Sequence, residues 1–222
     1  MEILKLNQVS YQYEKSEKPV LKNITCAFET GKLYCITGAS GEGKSTLLSL
    51  IAGLDLPISG EILYDGQDIA GINRDDYRSK KIGVIFQSYN LLQNAAAVEN
   101  VVLSMNIAGS KGKNDLSKAY SMLSQVGIDR EKADRKILKL SGGEQQRVAI
   151  VRAIAGSSPI LAADEPTGNL DADNEAAIMK IFEQFAHERN KCVIVVTHSQ
   201  KAALYADEVL PLQNGGLAAA KK

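Results

Sequence analysis

The segment Lys32-Leu33-Tyr34-Cys35-Ile36-Thr37-Gly38-Ala39-Ser40-Gly41-Glu42-Gly43-Lys44-Ser45-Thr46 reads as a strand that ends in a glycine cluster and hands over to a helix running to Gly53. Gly38 to Ser45 fits GxxxxGK[ST] in the strand, loop and helix context that this spacing requires. Glycines let such a loop fold so that successive N–H groups converge on phosphate oxygens, and the new helix adds its positive N-terminal end. Gly38, Ser40, Gly41, Gly43, Lys44, Ser45 and Thr46 are therefore candidate nucleotide contacts. Lys44 is placed to reach the β and γ phosphates, and the Ser45 hydroxyl to ligate Mg²⁺. Glu42 is the odd member: a carboxylate this near a triphosphate is repelled, so its side chain is expected to point away.

Working outward, strands are expected at Ile3 to Ser10 and Val20 to Phe28, and short ones at Gly60 to Tyr64 and Ile82 to Phe86. From Ala95 to Ala155 the strand signals vanish. Val98, Val101, Val102 and Met105, then Ala119, Met122, Leu123 and Val126, recur at helical spacing. Gly109 to Asn114 reads as a flexible link within that stretch. The mixed pattern returns at Pro159, with strands Ile160 to Ala163, Cys192 to Thr197 and Asp207 to Gln213 and helices Asp171 to His187 and Gln200 to Tyr205. The expectation is one α/β domain over residues 1–222, with a core of 1–87 and 159–222 interrupted by a helical part at about 88–158. The tail from Leu217 to Lys222 reads as a frayed end.

A second chemical element closes the core. Ile160-Leu161-Ala162-Ala163-Asp164-Glu165 is a buried strand ending in two acids. Asp164 is expected to hold Mg²⁺, and Glu165 to act as the general base that polarises an attacking water. A third element is Leu140-Ser141-Gly142-Gly143-Glu144-Gln145-Gln146-Arg147. Ser141 and Glu144 form a capping box that opens a helix running to Ala155. The box does not explain two glycines in the first turn, each costing roughly 1 kcal/mol against alanine. Such a cost points to something that must approach the backbone closely, a second anion site far in sequence from the first.

Composition narrows the classes. The 222 residues hold 26 Lys+Arg and 26 Asp+Glu, so no global field attracts nucleic acid or an anionic membrane. The most basic stretch, Lys111 to Arg147, carries nine Lys/Arg against five Asp/Glu, interspersed as on a solvated helical face. The longest apolar runs, Cys192 to Val196 and Ala202 to Ala206, are far short of the roughly 20 residues a transmembrane helix needs. Met1 to Lys5 lacks both a basic n-region and an apolar h-region, so the chain is expected to be mature from its first residue. Cys26, Cys35 and Cys192, with only His187 and His198 as histidines, form neither a disulfide framework nor a zinc pattern.

With these three motifs in this order, the sequence resembles the ATP-binding subunits of ABC transporters over nearly its whole length. The resemblance implies a P-loop NTPase fold of the ABC ATPase type, with an N-terminal antiparallel β region and an inserted helical subdomain. It implies that Tyr13 stacks on adenine, with Tyr11 as a competitor. It further implies that Gln87 is the Q-loop glutamine that senses Mg²⁺ and the γ-phosphate, that Asn169-Leu170-Asp171 is the D-loop, and that His198 is the switch histidine. The segments IAGLDLPISGEILYDG, GVIFQSYNLLQNAAAVENV and ADEPTGNLD resemble the subgroup serving MacB-type and LolD-type export systems. Members of that subgroup handle lipoproteins, peptides or drugs and transmit force to membrane proteins with large extracytoplasmic domains. Departures from the pattern are Glu42 for a serine, Asn94-Ala95-Ala96, and a looser final hairpin at Asn214 to Leu217.

What the resemblance implies mechanistically is an ATP-dependent homodimer, closed head to tail. Each γ-phosphate lies between Lys44 of one chain and Ser141-Gly142-Gly143 of the other, and the surface at Ser88 to Gln93 meets an integral membrane permease. The protein is then cytoplasmic, peripheral on the inner face of the cell membrane, and binds no nucleic acid. Two rivals stay open: a soluble ABC ATPase acting on DNA or ribosomes, and an ATP-dependent scaffold without turnover. The first normally carries a coiled-coil insertion or tandem cassettes, and the second would lack Glu165 or His198.

Overall fold

The computed structural model describes residues 1–14, 16–110, 112, 114–168 and 170–218. Two sheets organise them. The first is antiparallel and contains β1 (Glu2–Tyr11), β2 (Leu21–Glu29), β4 (Ser59–Tyr64) and β5 (Gln67–Asp68), in the order β2-β1-β4-β5. The second contains β3 (Leu33–Thr37), β6 (Ile82–Ile85), β7 (Ile160–Asp164), β8 (Cys192–Thr197), β9 (Glu208–Gln213) and β10 (Gly216–Leu217), in the order β10-β9-β3-β8-β7-β6. All its pairings are parallel except that of β9 with β10.

The parallel strands are continuous apolar runs because both of their faces are covered. Tyr34, Ile36, Ile160, Ala162, Ile194 and Val196 face the antiparallel sheet and α1 (Lys44–Ile51). The alternate residues Leu33, Cys35, Leu161, Ala163, Val193 and Val195 face the other helices. Of those helices, α3 (Ala97–Ile107), α4 (Asp115–Gln125), α5 (Arg130–Ala133) and α6 (Gly142–Ile154) lie between β6 and β7. α7 (Ala172–His187) buries Ile178, Met179, Phe182 and Phe185 along one stripe, as its 3.6-residue period requires. α8 (Gln200–Ala203) follows β8.

Register decides where chemistry can happen. Thr37 pairs with Thr197, and Asp164 with Val196, so β3, β7 and β8 end level with one another. The loops that leave them start from one edge, outside the carboxyl ends of the strands, where open α/β sheets hold their ligands.

One local expectation is corrected, and two regions are defined more closely. The chain after Gln87 does not run straight into helix: Tyr89 (φ 62°) and Asn90 (φ 51°) are left-handed, and α3 starts only at Ala97. Asn214 and Gly215 form a tight turn with φ 51° and 79°, and β10 pairs with β9 through Gly216 and Leu217, so a short final hairpin exists. The short α2 (Arg74–Lys80) and β5 add to the expected elements. Lys111 and Lys113 of the expected link, and residues 219–222 of the tail, lie outside the described residues. Among the described residues no helix is long and apolar enough to cross a membrane. The three cysteines are free, and burial pushes each thiol up to about 12.

Candidate functional site

The loop after β3 is shaped by what it packs against. A Cβ on Gly38 would lie 2.6 Å from the Leu212 carbonyl oxygen of β9. Gly43 has φ 97°, and a Cβ there would press on Val20 at 2.8 Å, so both ends of the loop exclude side chains. Gly43 is also the N-cap of α1 and offers no side-chain cap. The first N–H groups of that helix are thereby left to a ligand, at its positive end. Lys44, buried, turns its ammonium back into the loop, donating to the carbonyls of Gly38 and Ala39, both at 2.9 Å. Its Nζ lies 3.8 Å from Glu165 Oε1.

Two acids meet this loop from β7. Glu165 takes a left-handed φ of 46°, a conformation that costs a non-glycine residue about 1–3 kcal/mol and persists only where its surroundings enforce it. Its N–H donates to the Val196 carbonyl at 2.8 Å, and its Oε2 lies 2.9 Å from His198 Nδ1. One carboxylate thus spans the Lys44 ammonium and the His198 ring. Asp164 differs: its Oδ1 is buried and has no hydrogen-bond partner among the described residues. Burial pushes its carboxyl up, the Ser45 hydroxyl and the Lys44 ammonium pull it back, and Glu165 raises it again. An orphaned buried carboxylate oxygen beside a serine hydroxyl fits a hard divalent cation.

A cavity of about 610 Å³ joins these groups, lined by Ser40, Gly41, Gly43, Lys44, Ser45 and Thr46 of the loop and α1, by Gln87, Glu165 and His198 on one side, and by Tyr13 and Val20 on the other. Gln87 also lines a neighbouring cavity with Asp164 and Ser88, so it stands between the two acids' surroundings. Tyr13, not Tyr11, faces the larger cavity. Its hydroxyl lies 2.8 Å from Thr46 Oγ1, while Tyr11 packs edge-on against its ring at 5.1 Å.

The remaining sequence candidates lie elsewhere. Ser141, Gly142 and Asp171 are exposed and line neither cavity. The capping box forms: Ser141 N–H donates to Glu144 Oε2 at 2.8 Å, and Glu144 N–H to Ser141 Oγ at 3.4 Å. The Ser141 N–H, reinforced by Lys132, holds the Glu144 carboxyl below its ordinary range. Gly143 is closed in by its own chain, since a Cβ would lie 3.1 Å from Asn174 Oδ1. Gly142 is not: among the described residues a Cβ there would meet only the Tyr89 hydroxyl, at 3.8 Å. Asp171 caps α7 by accepting the Asn174 N–H at 2.9 Å. Asn169 lies outside the described residues.

One residue missed in the sequence ties these regions together. Arg152 of α6 donates to the carbonyls of Tyr89, at 2.9 Å, and of Asn90, fixing the left-handed turn behind Gln87 to the helix that begins at the glycine pair. A single arginine within a helical pattern gives no sequence signal for such a tie.

The sequence profile of the ABC transporter family matches residues 21–168. An uncharacterised ABC transporter ATP-binding protein of Bacillus subtilis, YclH, is 45% identical over 97% of this chain and 95% of its own length. The lipoprotein-releasing system ATP-binding protein LolD of Syntrophotalea carbinolica is 39% identical over 88% of this chain and 87% of its own. In structure, the chain superposes with a TM-score of 0.90 on the dimeric, post-hydrolysis form of the ATP-binding cassette MJ0796 bound to ADP and Pi, at 34% identity over 99% of this chain and 98% of that one.

Proposed function

This chain belongs to the ABC transporter family, as an ATP-binding subunit and an ATPase, and from that premise we propose that two copies close head to tail on two ATP molecules and thereby drive a separate integral membrane partner. The observation that carries the dimer is the position of Gly142. It is exposed, away from the cavity of Lys44 and Glu165, and among the described residues nothing in its own chain requires it to lack a side chain. A phosphate of ATP on a second copy supplies the missing reason.

In this reading Tyr13 stacks on adenine, and the loop N–H groups with Lys44 hold the phosphates. Ser45, Asp164 and Gln87 would hold Mg²⁺, which would supply charge neutralisation to the phosphates. Glu165 accepts the proton of the attacking water, a contribution typically worth about 10²- to 10⁴-fold. His198, within hydrogen-bond reach of Glu165, orients that carboxylate. Ser141, Gly142 and Gly143 of the other copy close over the γ-phosphate, with Asp171 at the same interface. Because ATP then satisfies donors of both chains, closure requires ATP and hydrolysis weakens it.

The permease contact is assigned to the turn at Ser88 to Gln93, which Arg152 links to the signature helix. The cargo is assigned to the export class of lipoproteins, peptides or drugs, and the chain to the cytoplasmic face of the membrane. The balanced charge supports a protein partner over nucleic acid. Purification of the tagged chain from its host in mild detergent is the test. An integral membrane protein in stoichiometric amount, with ATPase activity that depends on Glu165, is expected. Ribosomal or nucleic-acid material in its place overturns the assignment.

A further inference from the structure

Glu175, on the first turns of α7, is not part of the ATP cavity, yet its carboxylate joins both loops that carry the proposed base and its partner. Oε1 accepts the Ser199 hydroxyl at 2.5 Å and the Thr167 hydroxyl at 3.3 Å. Thr167 is buried and follows Glu165 by two positions, in a turn closed by the Gly168 N–H donating to the Glu165 carbonyl at 3.2 Å. Ser199 directly follows His198. Its Oγ also accepts the Ala202 N–H at 3.2 Å, and its own N–H donates to Thr197 Oγ1 at 3.0 Å, so its hydroxyl is committed on both sides.

The two loops come from different strands, β7 and β8, and meet at the contact of 2.9 Å between Glu165 and His198. A strained, left-handed Glu165 keeps its conformation only if neighbouring groups hold it. We infer that Glu175 is a positioning residue: one carboxylate oxygen fixes the turn behind Glu165 and the turn behind His198 relative to each other, and so sets the alignment of the base. α7 is anchored in the core through Ile178, Met179 and Phe182, which gives that oxygen a fixed origin. The inference rests on the reading of Glu165 as base.

The test is steady-state ATP hydrolysis by the full chain, with ATP binding measured separately. E175A is expected to lower kcat by about tenfold or more, since misplacement of a catalytic group by about 1 Å costs on that order or beyond. KM and ATP affinity should change by less than about twofold, because Glu175 touches none of the phosphate contacts. E175Q keeps an acceptor oxygen and should restore most of the turnover. S199A and T167V each remove one of the two bonds and should lower kcat partially; because S199A also removes the cap on the Ala202 N–H, T167V is the variant that, added to E175A, should cost nothing further. Wild-type kcat in E175A overturns the inference, as does E175Q falling as low as E175A. If E175A does not fold, S199A and T167V serve in its place, and undiminished kcat in both overturns the inference. E165Q run in parallel keeps the two readings apart: turnover surviving in E165Q condemns the base, whereas loss in E165Q with none in the Glu175 series condemns only the positioning role.

Discussion

Glu42, in the middle of the phosphate loop, accepts the backbone N–H of Asn214 at 2.6 Å, joining the loop to a turn 172 positions later in the chain. A carboxylate this near a polyphosphate is repelled, and the Glu42 side chain accordingly faces the turn between β9 and β10. The same turn is held from its other side by the Lys22 N–H, which donates to the Gly215 carbonyl at 2.8 Å.

Replacing Glu42 separates its two effects. E42A removes the tether as well as the charge, and an exposed hydrogen bond to a charged acceptor is worth about 1 kcal/mol, equivalent to roughly 2–4 °C in Tm at this chain length. E42Q keeps an acceptor for Asn214 and removes only the charge, so it should melt close to the parent and bind ATP at least as tightly. Thermal melts paired with nucleotide titration decide the matter. A parent-like melt for E42A would show that the tether contributes nothing.

Glu165→Gln should bind Mg-ATP, lose steady-state hydrolysis by about 10²- to 10⁴-fold, and accumulate as a dimer in ATP. The amide retains the shape of the side chain but cannot accept the water's proton. Size-exclusion chromatography with and without ATP, alongside a phosphate-release assay, reads both consequences. Turnover near that of the parent would remove Glu165 from the role of base.

Lys44→Ala should fail at an earlier step. The ammonium now satisfied by the carbonyls of Gly38 and Ala39 is the side-chain charge available to the β and γ phosphates. Its loss should lower nucleotide affinity itself, by more than about tenfold in calorimetric titration. Unchanged binding would mean that backbone N–H groups alone hold the phosphates.

The parts of this molecule that can be read in the sequence are those with a local physical signature. β8 shows as five successive apolar residues because both its faces are buried, and its expected limits, Cys192 to Thr197, match the structure. The phosphate loop shows because its glycines answer a local steric demand. Ser141 and Glu144 show because a capping box is a short-range pattern. α2 escapes a reading by apolar periodicity because it buries only Tyr77 and so has no apolar stripe. Its N-cap Asn73, with Asp75 and Asp76 in the first turn and Arg78 and Lys80 in the last, is nonetheless legible. β5 is announced by Asp65-Gly66, a tight-turn pair with φ 48° and 76°. The ties from Glu42 to Asn214, from Arg152 to Tyr89 and from Glu175 to Ser199 are not legible. Each joins residues that only the sheet order brings together.

Gly142→Asp tests the head-to-tail assembly most directly. Gly142 is exposed, a Cβ on it would make no more than ordinary contact with the Tyr89 hydroxyl at 3.8 Å, and it lies outside the cavity that holds Lys44, so the monomer should fold and bind ATP as before. In the closed dimer the added carboxylate would face the γ-phosphate on the other chain, where like charges in a partly dry interface cost several kcal/mol. Closure and hydrolysis should be lost. Mixing this variant with Lys44→Ala yields heterodimers in which one composite site carries both lesions and the other carries neither, so activity should return as the mixing ratio approaches equality. No recovery at any ratio leaves two explanations, a requirement for both sites or use of each chain's own signature, and crosslinking across the interface separates them. If Gly142→Asp instead weakens ATP binding to the monomer as severely as Lys44→Ala does, the glycine serves its own chain's nucleotide and the trans arrangement is wrong.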